Sequence, residues 1–388
     1  MMIYLDNAAT TFPKPTAVVD EVKRCMQTYG GNPGRGAHSL SLAAAKKVFE
    51  CRSELTDMFG AADTDRVFFT PNTTYGINAV LKGLLRQGDH VIISDMEHNA
   101  VWRPICKMAA DGKITYDVFP SLSCDPKFTP QRVCAGISRL IRSNTRMVFC
   151  THASNICSAS LPIAEIGELC RRRGILLATD GAQAAGHEEI NVGKMNISAL
   201  CVPGHKGLYG PQGSGAVILG DGVVLDTMVE GGNGVDSLEP EMSLSAPERY
   251  EAGTVATPSI AGLCEGIRTV RRMGVNNISH DEKRICARLY EILGNTRGVR
   301  VYASEYAGKG SIVLFSFDGV PSERIATALD AKGICVRGGY HCAALAHRTL
   351  GTPQDGAVRL SAGIYTKMAD VDGFYRAMRG IVSELIPI

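Results

Sequence analysis

Thr73 and Thr74 stand where the run Val67-Phe68-Phe69-Thr70, read as a strand, gives way to a helical pattern over 73–85. Hydroxyls at a helix N-terminus lie beside unpaired N–H groups and the positive end of the helix dipole, so they suit a phosphate. They equally suit an ordinary helix cap. His98, in Ser94-Asp95-Met96-Glu97-His98-Asn99, follows the run 90–93. An imidazole there can stack on a flat ring, move a proton, or serve structure alone. Asp180 follows the run 175–179 and opens Asp180-Gly181-Ala182-Gln183. A nearly buried carboxylate needs a cationic partner. A protonated pyridine nitrogen is one such partner; a structural ion pair or a cap is another. Lys206 comes just past the run 199–202, in the turn Pro203-Gly204-His205-Lys206. A desolvated lysine there can form a Schiff base, and the alternative is a solvated loop lysine. In chain order these are a phosphate cradle, a ring-stacking histidine, a pyridinium partner and a Schiff-base lysine. Together they meet the needs of pyridoxal phosphate.

These positions can act together only if the preceding strands are neighbours. Helical patterns over 17–29, 42–59, 73–85, 101–110 and 163–173 alternate with strands at 67–70, 90–93, 147–150, 175–179, 199–202 and 215–219. Repeated strand–helix–strand units predict an α/β fold whose mostly parallel sheet carries helices on its faces. Ligands in such sheets bind beyond the carboxyl ends of the strands. The segment 230–254 is 25 residues without clear periodicity, long for a connector and so expected to be functional. A helix over 260–272 follows, then a hinge at 276–280. A second unit reads helix, strands at 299–302 and 311–317, helix 322–332, strand 334–337 and a last helix after Asp370.

Composition narrows the function classes. The chain has 388 residues, 45% hydrophobic and 21% charged, which excludes a disordered protein. A net charge of +2 gives no electrostatic case for nucleic acid or an acidic membrane. No apolar run approaches the ~20 residues of a membrane span. Thirteen cysteines, an odd number with no C-x-x-C pair, exclude the thioredoxin motif and the commonest zinc spacings. No secretory pattern opens the chain at 1–6. The expectation is a cytoplasmic protein with mostly buried free thiols. Ten glycines fall in the 31 residues from Gly204 to Gly234, where special backbone geometry is expected. Gly213-Ser214-Gly215 precedes a strand rather than a helix, which argues against a dinucleotide oxidoreductase.

The chain resembles the class V aminotransferase group of fold-type-I pyridoxal phosphate enzymes, and within it the cysteine desulfurase and selenocysteine lyase family. The matching pieces run in family order: 5–11, Arg35-Gly36-Ala37-His38, 72–78, 96–99, His152-Ala153-Ser154-Asn155, 180–183, 204–206, Tyr250-Glu251-Ala252-Gly253-Thr254 and Arg337-Gly338-Gly339-Tyr340-His341-Cys342-Ala343. The resemblance implies a large cofactor-binding domain over 17–272. It also implies a small α+β domain made of 1–16 and 273–388. It implies that Lys206 holds the cofactor, Asp180 pairs with the pyridine nitrogen, Gln183 meets the ring hydroxyl, and His98 stacks on the ring and shuttles protons. Thr73, Thr74 and His205 would hold the phosphate, and Thr254 would reach that of the other subunit of a homodimer. Asn155 and Arg359 would hold the substrate carboxylate, with Arg337 nearby. Cys342 would take sulfur from L-cysteine as a persulfide, releasing alanine, and a separate sulfur-acceptor protein would follow.

Only a thiolate attacks well, so Cys342 calls for a basic setting, which His341 and Arg337 are near enough in sequence to supply. Cys335, His341, Cys342 and His347 could instead ligate a metal, but their spacing matches no usual zinc pattern. Alternatives of the same fold are a selenocysteine lyase, another β-lyase, an aminotransferase, or a cofactor-binding protein without turnover. A transaminase would need no thiol at Cys342. The chain departs from the family in two places. Pro203 stands where a serine usually supplies a phosphate-binding hydroxyl. Ser158-Ala159 stands where a Gly-Thr pair is common, and is expected to reshape the pocket near the ring. The Cys342 segment resembles the type with a short, ordered loop.

Overall fold

The computed structural model describes residues 2–34, 36–121 and 129–385. Arg35 of the Arg-Gly-Ala-His motif lies outside the described residues. The chain opens with a short strand, Ile3–Tyr4 (β1). Seven strands then build the central sheet: Val67–Thr70 (β2), Asp89–Ser94 (β3), Ile114–Phe119 (β4), Thr145–Thr151 (β5), Leu176–Asp180 (β6), Ala199–Pro203 (β7) and Gly215–Leu219 (β8). Their spatial order is β2-β8-β7-β6-β5-β3-β4. β8 runs antiparallel to both β2 and β7, and every other pairing is parallel. Side-chain alternation divides the core between the two faces. Ile92, Val148, Leu177 and Leu200 pack on one side with Leu55 and Phe59, while Val91, Ile93, Phe149 and Cys201 pack on the other with Ile77 and Val101. Both faces are covered, and the strands therefore read as near-continuous apolar runs.

The remaining strands are Val299–Tyr302 (β9), Ile312–Phe317 (β10), Ile334–Cys335 (β11) and Val358–Ser361 (β12). Three of them form an antiparallel sheet ordered β12-β10-β9, while β11 pairs in parallel with β1. Leu5 packs in one core with Leu289, Phe315 and Phe374, so the N-terminal segment is built into the C-terminal unit.

The structure corrects the expected hinge. Residues 276–280 lie inside the helix Val275–Gly294, and the break after helix Thr257–Met273 is Gly274, at φ +83°. A left-handed φ ends the first helix without the Cβ clash that other residues would meet. The structure also adds β4, β12 and helices Pro130–Leu140 and Ala344–Leu350.

Gly76 shows how closely an element must approach to build the site. A Cβ there would lie 2.8 Å from Val217 Cγ2, so only glycine lets helix Thr73–Leu84 sit this close on β8. That contact brings the helix N-terminus to the carboxyl edge of the sheet.

Candidate active site

Each strand end delivers a side chain to one edge. After β2, Asn72 caps helix Thr73–Leu84, its Oδ1 accepting from Tyr75 N–H at 2.9 Å. Thr73 is buried and its Oγ1 has no partner among the described residues, while Thr74 is exposed beside it. After β3, His98 caps helix Asn99–Ala110, Nδ1 accepting from Ala100 N–H at 3.0 Å. Nδ1 is therefore bare, and the proton of the neutral ring sits on Nε2. Burial first, then the cations Lys206, Arg359, Arg337 and Arg103, lower the His98 pKa to about 4, so the ring is neutral.

Asp180 closes β6, 3% exposed, with Oδ1 accepting from Ala182 N–H at 2.9 Å. Burial pushes its carboxyl above the ordinary range, opposed by the Ala182 N–H and the charge of Lys206. Past β7, Gly204 N–H bonds Ser214 O at 2.8 Å, and the following turn carries His205 and Lys206. Thr11 N–H, Thr10 Oγ1 and Lys14 Nζ all donate to the His205 carbonyl, at 3.2, 3.1 and 2.8 Å, so the N-terminal segment clamps this turn. Desolvation brings Lys206 down to about 8, and Arg359 and Arg337 push the same way. Its amine is thus partly neutral near physiological pH. His205 is also lowered to about 4 by burial, and its Nδ1 is buried without a partner among the described residues.

The C-terminal unit closes the far side. Arg359, 2% exposed, donates from Nη2 to Asp6 Oδ1 at 2.8 Å and from Nη1 to Asn155 O at 2.9 Å, leaving Nε without a partner among the described residues. Asn155 Nδ2 donates to His341 O at 2.8 Å. Gln183 Nε2 donates to Ala8 O at 3.0 Å. Cys342 is the exposed thiol among the described cysteines, and its carbonyl accepts from Asn99 N–H at 2.7 Å.

Eleven of the twelve residues expected from the sequence line one cavity of about 230 Å³: Thr73, Thr74, His98, Asn155, Asp180, Gln183, His205, Lys206, Arg337, Cys342 and Arg359. Thr254 does not. It is exposed and lines a separate cleft of about 640 Å³ with Asn32, Arg52 and Glu251. The cavity chemistry fits a phosphorylated flat molecule. Thr73 Oγ1 and His205 Nδ1 are buried polar atoms awaiting a partner at the same edge, next to a helix N-terminus.

Residues 3–374 match the aminotransferase class-V family. The chain belongs to that family. A relative named probable cysteine desulfurase, from Methanothermobacter thermautotrophicus, is 31% identical over 95% of this chain and 92% of its own length. Another of that name, from Halalkalibacterium halodurans, is 30% identical over 97% and 92%. Among solved structures, the apo cysteine desulfurase of Thermococcus onnurineus superposes with a TM-score of 0.88 at 29% identity, covering 99% of this chain and 95% of its own. The Escherichia coli cysteine desulfurase CsdA in an S-sulfonic acid form gives 0.85 at 26%, covering 99% and 96%.

Against that class-V background, two expectations need correction. His341 does not provide a basic setting for Cys342. Its Nε2 lies 3.0 Å from Arg337 O, and burial with Arg359 lowers its pKa to about 2, so it carries no charge. The nearby cations that line the cavity are Lys206, Arg337 and Arg359. Ser158 does not reach the pocket. It lies outside the cavity lining; its Oγ donates to Ile312 O at 2.6 Å and accepts from Ile312 N–H at 3.2 Å, fastening this loop to β10. Pro203 does line the cavity, and the nearby Ser214 hydroxyl is turned to Pro211 O at 2.6 Å.

The sequence reading assigned no role to Glu97. It is fully buried, accepts from Thr151 N–H at 2.9 Å and from the Ser94 hydroxyl, and ties the ends of β3 and β5 together. Burial raises its pKa to about 8, and neighbouring Asp180 adds to the effect, so it carries a proton at neutral pH. Asp6 was likewise missed as the partner of Arg359. Both residues stood inside recognised motifs, Met96-Glu97-His98-Asn99 and Leu5-Asp6-Asn7.

Proposed function

We propose that this protein is a pyridoxal phosphate-dependent cysteine desulfurase that converts L-cysteine to L-alanine and takes the sulfur onto Cys342. The observation that carries the reading is an exposed thiol at the rim of the cavity that also holds Lys206, Asp180, and Thr73 Oγ1 and His205 Nδ1, which have no partner among the described residues. The names of the relatives support the same substrate.

When bound, the cofactor's protonated ring supplies the electron sink that lets Cα lose its proton and weakens the Cβ–S bond. Thr73, Thr74 and His205 would hold its phosphate, with His205 giving a neutral hydrogen bond. Asp180 would keep the ring nitrogen protonated, Gln183 would meet the ring hydroxyl, and Lys206 would hold the cofactor. His98 would stack on the ring and offer Nε2–H as a donor. Its Nδ1 is occupied by Ala100 N–H, so accepting a proton there requires loss of the cap. Lys206 Nζ, lowered to about 8, can take the Cα proton. The substrate carboxylate would meet Arg359 through its free Nε–H, beside Asn155 and Arg337. The Cys342 thiolate would then attack the substrate sulfur. The new S–S bond forms as Cβ–S breaks, and the released electron pair stays with the alanine skeleton, which takes up a proton.

We further infer a homodimer in which Thr254 completes the partner's phosphate site. Support comes from its place on a cleft flanked by exposed Phe49, 58% accessible, away from its own chain's cavity. The division into 17–272 and 1–16 with 273–388 is supported by the shared core of Leu5, Phe315 and Phe374. Cys342 sits on a short turn pinned by Asn99, so a sulfur-acceptor protein would come to the cavity rim.

The test is to incubate the cofactor-loaded protein with cysteine, measure alanine, and map persulfide by mass spectrometry. Persulfide on Cys342, and loss of alanine formation in Cys342→Ser, are expected. Wild-type alanine formation by Cys342→Ser overturns the mechanism.

A further inference from the structure

Three side chains behind Cys342 form a directed chain of hydrogen bonds. His341 Nε2 lies 3.0 Å from Arg337 O, His341 Nδ1 lies 3.2 Å from His347 Nε2, and His347 Nδ1 lies 2.8 Å from Thr352 Oγ1. A carbonyl oxygen only accepts, so His341 Nε2 carries the proton and Nδ1 of the neutral ring is bare. His347 Nε2 must then donate to it, which leaves His347 Nδ1 bare and makes the Thr352 hydroxyl its donor. Every proton position along the chain is fixed by the one before it. A second proton on His341 would set two N–H groups face to face and break that link, whereas one on His347 Nδ1 would turn the last link round, since the Thr352 hydroxyl can accept and reaches His347 O at 3.4 Å with its own proton.

The surroundings favour that neutral state. The two rings stack 5.4 Å apart at 11°, and His341 and His347 are 5% and 2% exposed. Burial and the charge of Arg359 lower both, to about 2 and about 4. The chain is therefore no proton acceptor for the thiol.

The backbone shows what it does instead. His341 and Cys342 are consecutive non-glycine residues in the left-handed region, at φ +51° and +54°. Such a conformation is costly for residues with a Cβ and persists where the surroundings over-determine it. Asn155 Nδ2 fixes the His341 carbonyl, Asn99 N–H fixes the Cys342 carbonyl at 2.7 Å, and Ala343 N–H bonds Tyr340 O at 2.8 Å. Two side chains of the turn are held as well: the Tyr340 hydroxyl donates to Gln354 O while its ring meets that of His347 edge-on at 5.3 Å, and the His341 ring is held by the chain.

We propose that His347 is a positioning residue which, through the chain Thr352–His347–His341, locks the turn 340–343 so that the Cys342 thiol stands at the cavity rim. The functional part of this inference rests on Cys342 as the sulfur acceptor. The hydrogen-bond chain itself does not.

The test compares His347→Leu with His347→Gln in the holoenzyme. The Gln amide nitrogen can donate to His341 Nδ1 in place of His347 Nε2; Leu cannot. His347→Leu should slow persulfide formation on Cys342 by about tenfold or more, the scale expected when a reacting atom is misplaced by a fraction of an ångström. Exchange of the alanine Cα proton with D2O, which needs no thiol, should stay within about twofold, and His347→Gln should recover transfer to within about threefold of wild type. Histidine-selective 15N spectra of the full chain should show one protonated and one bare nitrogen on each of His341 and His347, constant from about pH 6 to about pH 9. In His347→Leu the His341 signals should lose that fixed tautomer.

Wild-type persulfide rates in His347→Leu overturn the positioning role. Equal losses of transfer and Cα exchange in both variants also overturn it, because they mark general damage. If Leu does not fold, Thr352→Val removes the far link alone and must still reduce transfer more than exchange; an unchanged ratio overturns the proposal. Failure of the desulfurase reading would look different: no persulfide on Cys342 in the wild type. Alkylation of Cys342 by iodoacetamide would then decide, with equal rates in wild type and His347→Leu against the lock and altered rates restored by Gln in its favour.

Discussion

Glu97 is the residue whose ionisation the fold alters most usefully for a test. Its carboxyl is fully enclosed, and its pKa rises from 4.5 to about 8 because burial outweighs the hydrogen bonds from Ser94 and Thr151. Between those two values the folded chain keeps a proton that the unfolded chain releases. Folding stability therefore falls as pH rises through that window, by about 1.4 kcal/mol per pH unit for this group alone. Glu97→Gln cannot release a proton and loses that slope. Urea unfolding of wild type and Glu97→Gln should shift in the variant's favour by about 2–3 kcal/mol between about pH 5.5 and about pH 7.5. Parallel stability curves would mean that Glu97 is ionised in the fold. A neutral Glu97 also spares Asp180 a like charge at the base of the cavity, which suits a site where Asp180 must face a cation.

At the scale of elements, the sequence told most where one local rule acted alone. Strands 67–70, 215–219 and 299–302 and helix 163–173 stand where the periodicity put them. The chemistry-bearing residues Thr73, His98, Asp180 and Lys206 were legible because a parallel sheet gathers its strand ends at one edge. β4 was not legible: it is an edge strand with the burial of its middle residues incomplete, so Thr115, Asp117 and an exposed Val118 blur the alternation. The Arg359–Asp6 pair joins residues 353 apart in sequence, and no periodicity reports such a closure. The neutral state of His341 comes from burial and from the charge of Arg359, 18 residues on in sequence, so adjacency to Cys342 suggested the opposite role. Ser158 is the element-scale case to test. Its hydroxyl serves both the N–H and the C=O of Ile312 at the start of β10, in a buried setting. Ser158→Ala takes the hydroxyl from Ile312 N–H and leaves Ile312 O only the Tyr290 hydroxyl at 3.5 Å as a side-chain donor, and should cost about 1–3 kcal/mol of stability. Because Ser158 is outside the cavity, cofactor affinity should stay unchanged. A tenfold weaker cofactor affinity without loss of urea stability would return this residue to the pocket.

The whole molecule raises the question of where a further phosphate-side hydroxyl, beyond those of Thr73 and Thr74, belongs. Pro203 brings no hydroxyl to the cavity, and Ser214 is spent on Pro211 O. Thr254 sits on the separate cleft, in the long segment that has only the short turn Glu248–Tyr250 as regular structure. That segment exposes Leu238 and Leu244, and Leu42 and Phe49 are exposed on helix Ser39–Phe59. Exposed apolar side chains of this size suit the interface of the proposed homodimer. In a two-fold dimer each copy can supply Thr254 to the other, so each site draws on both chains. Mixed dimers separate this arrangement from a self-contained chain. Lys206→Ala chains lack the cofactor-holding lysine, and Thr254→Glu chains would present a carboxylate to the partner's phosphate. Each homodimer should be inactive. After subunit exchange, half the dimers are mixed, and in each the site with Lys206 from the Thr254→Glu chain receives an intact Thr254 from the other. Alanine formation should therefore recover to about a quarter of the wild-type value per active-site equivalent. If Thr254 acts within its own chain, mixing rescues nothing, because the Thr254→Glu chain then carries its defect into every site that has a lysine.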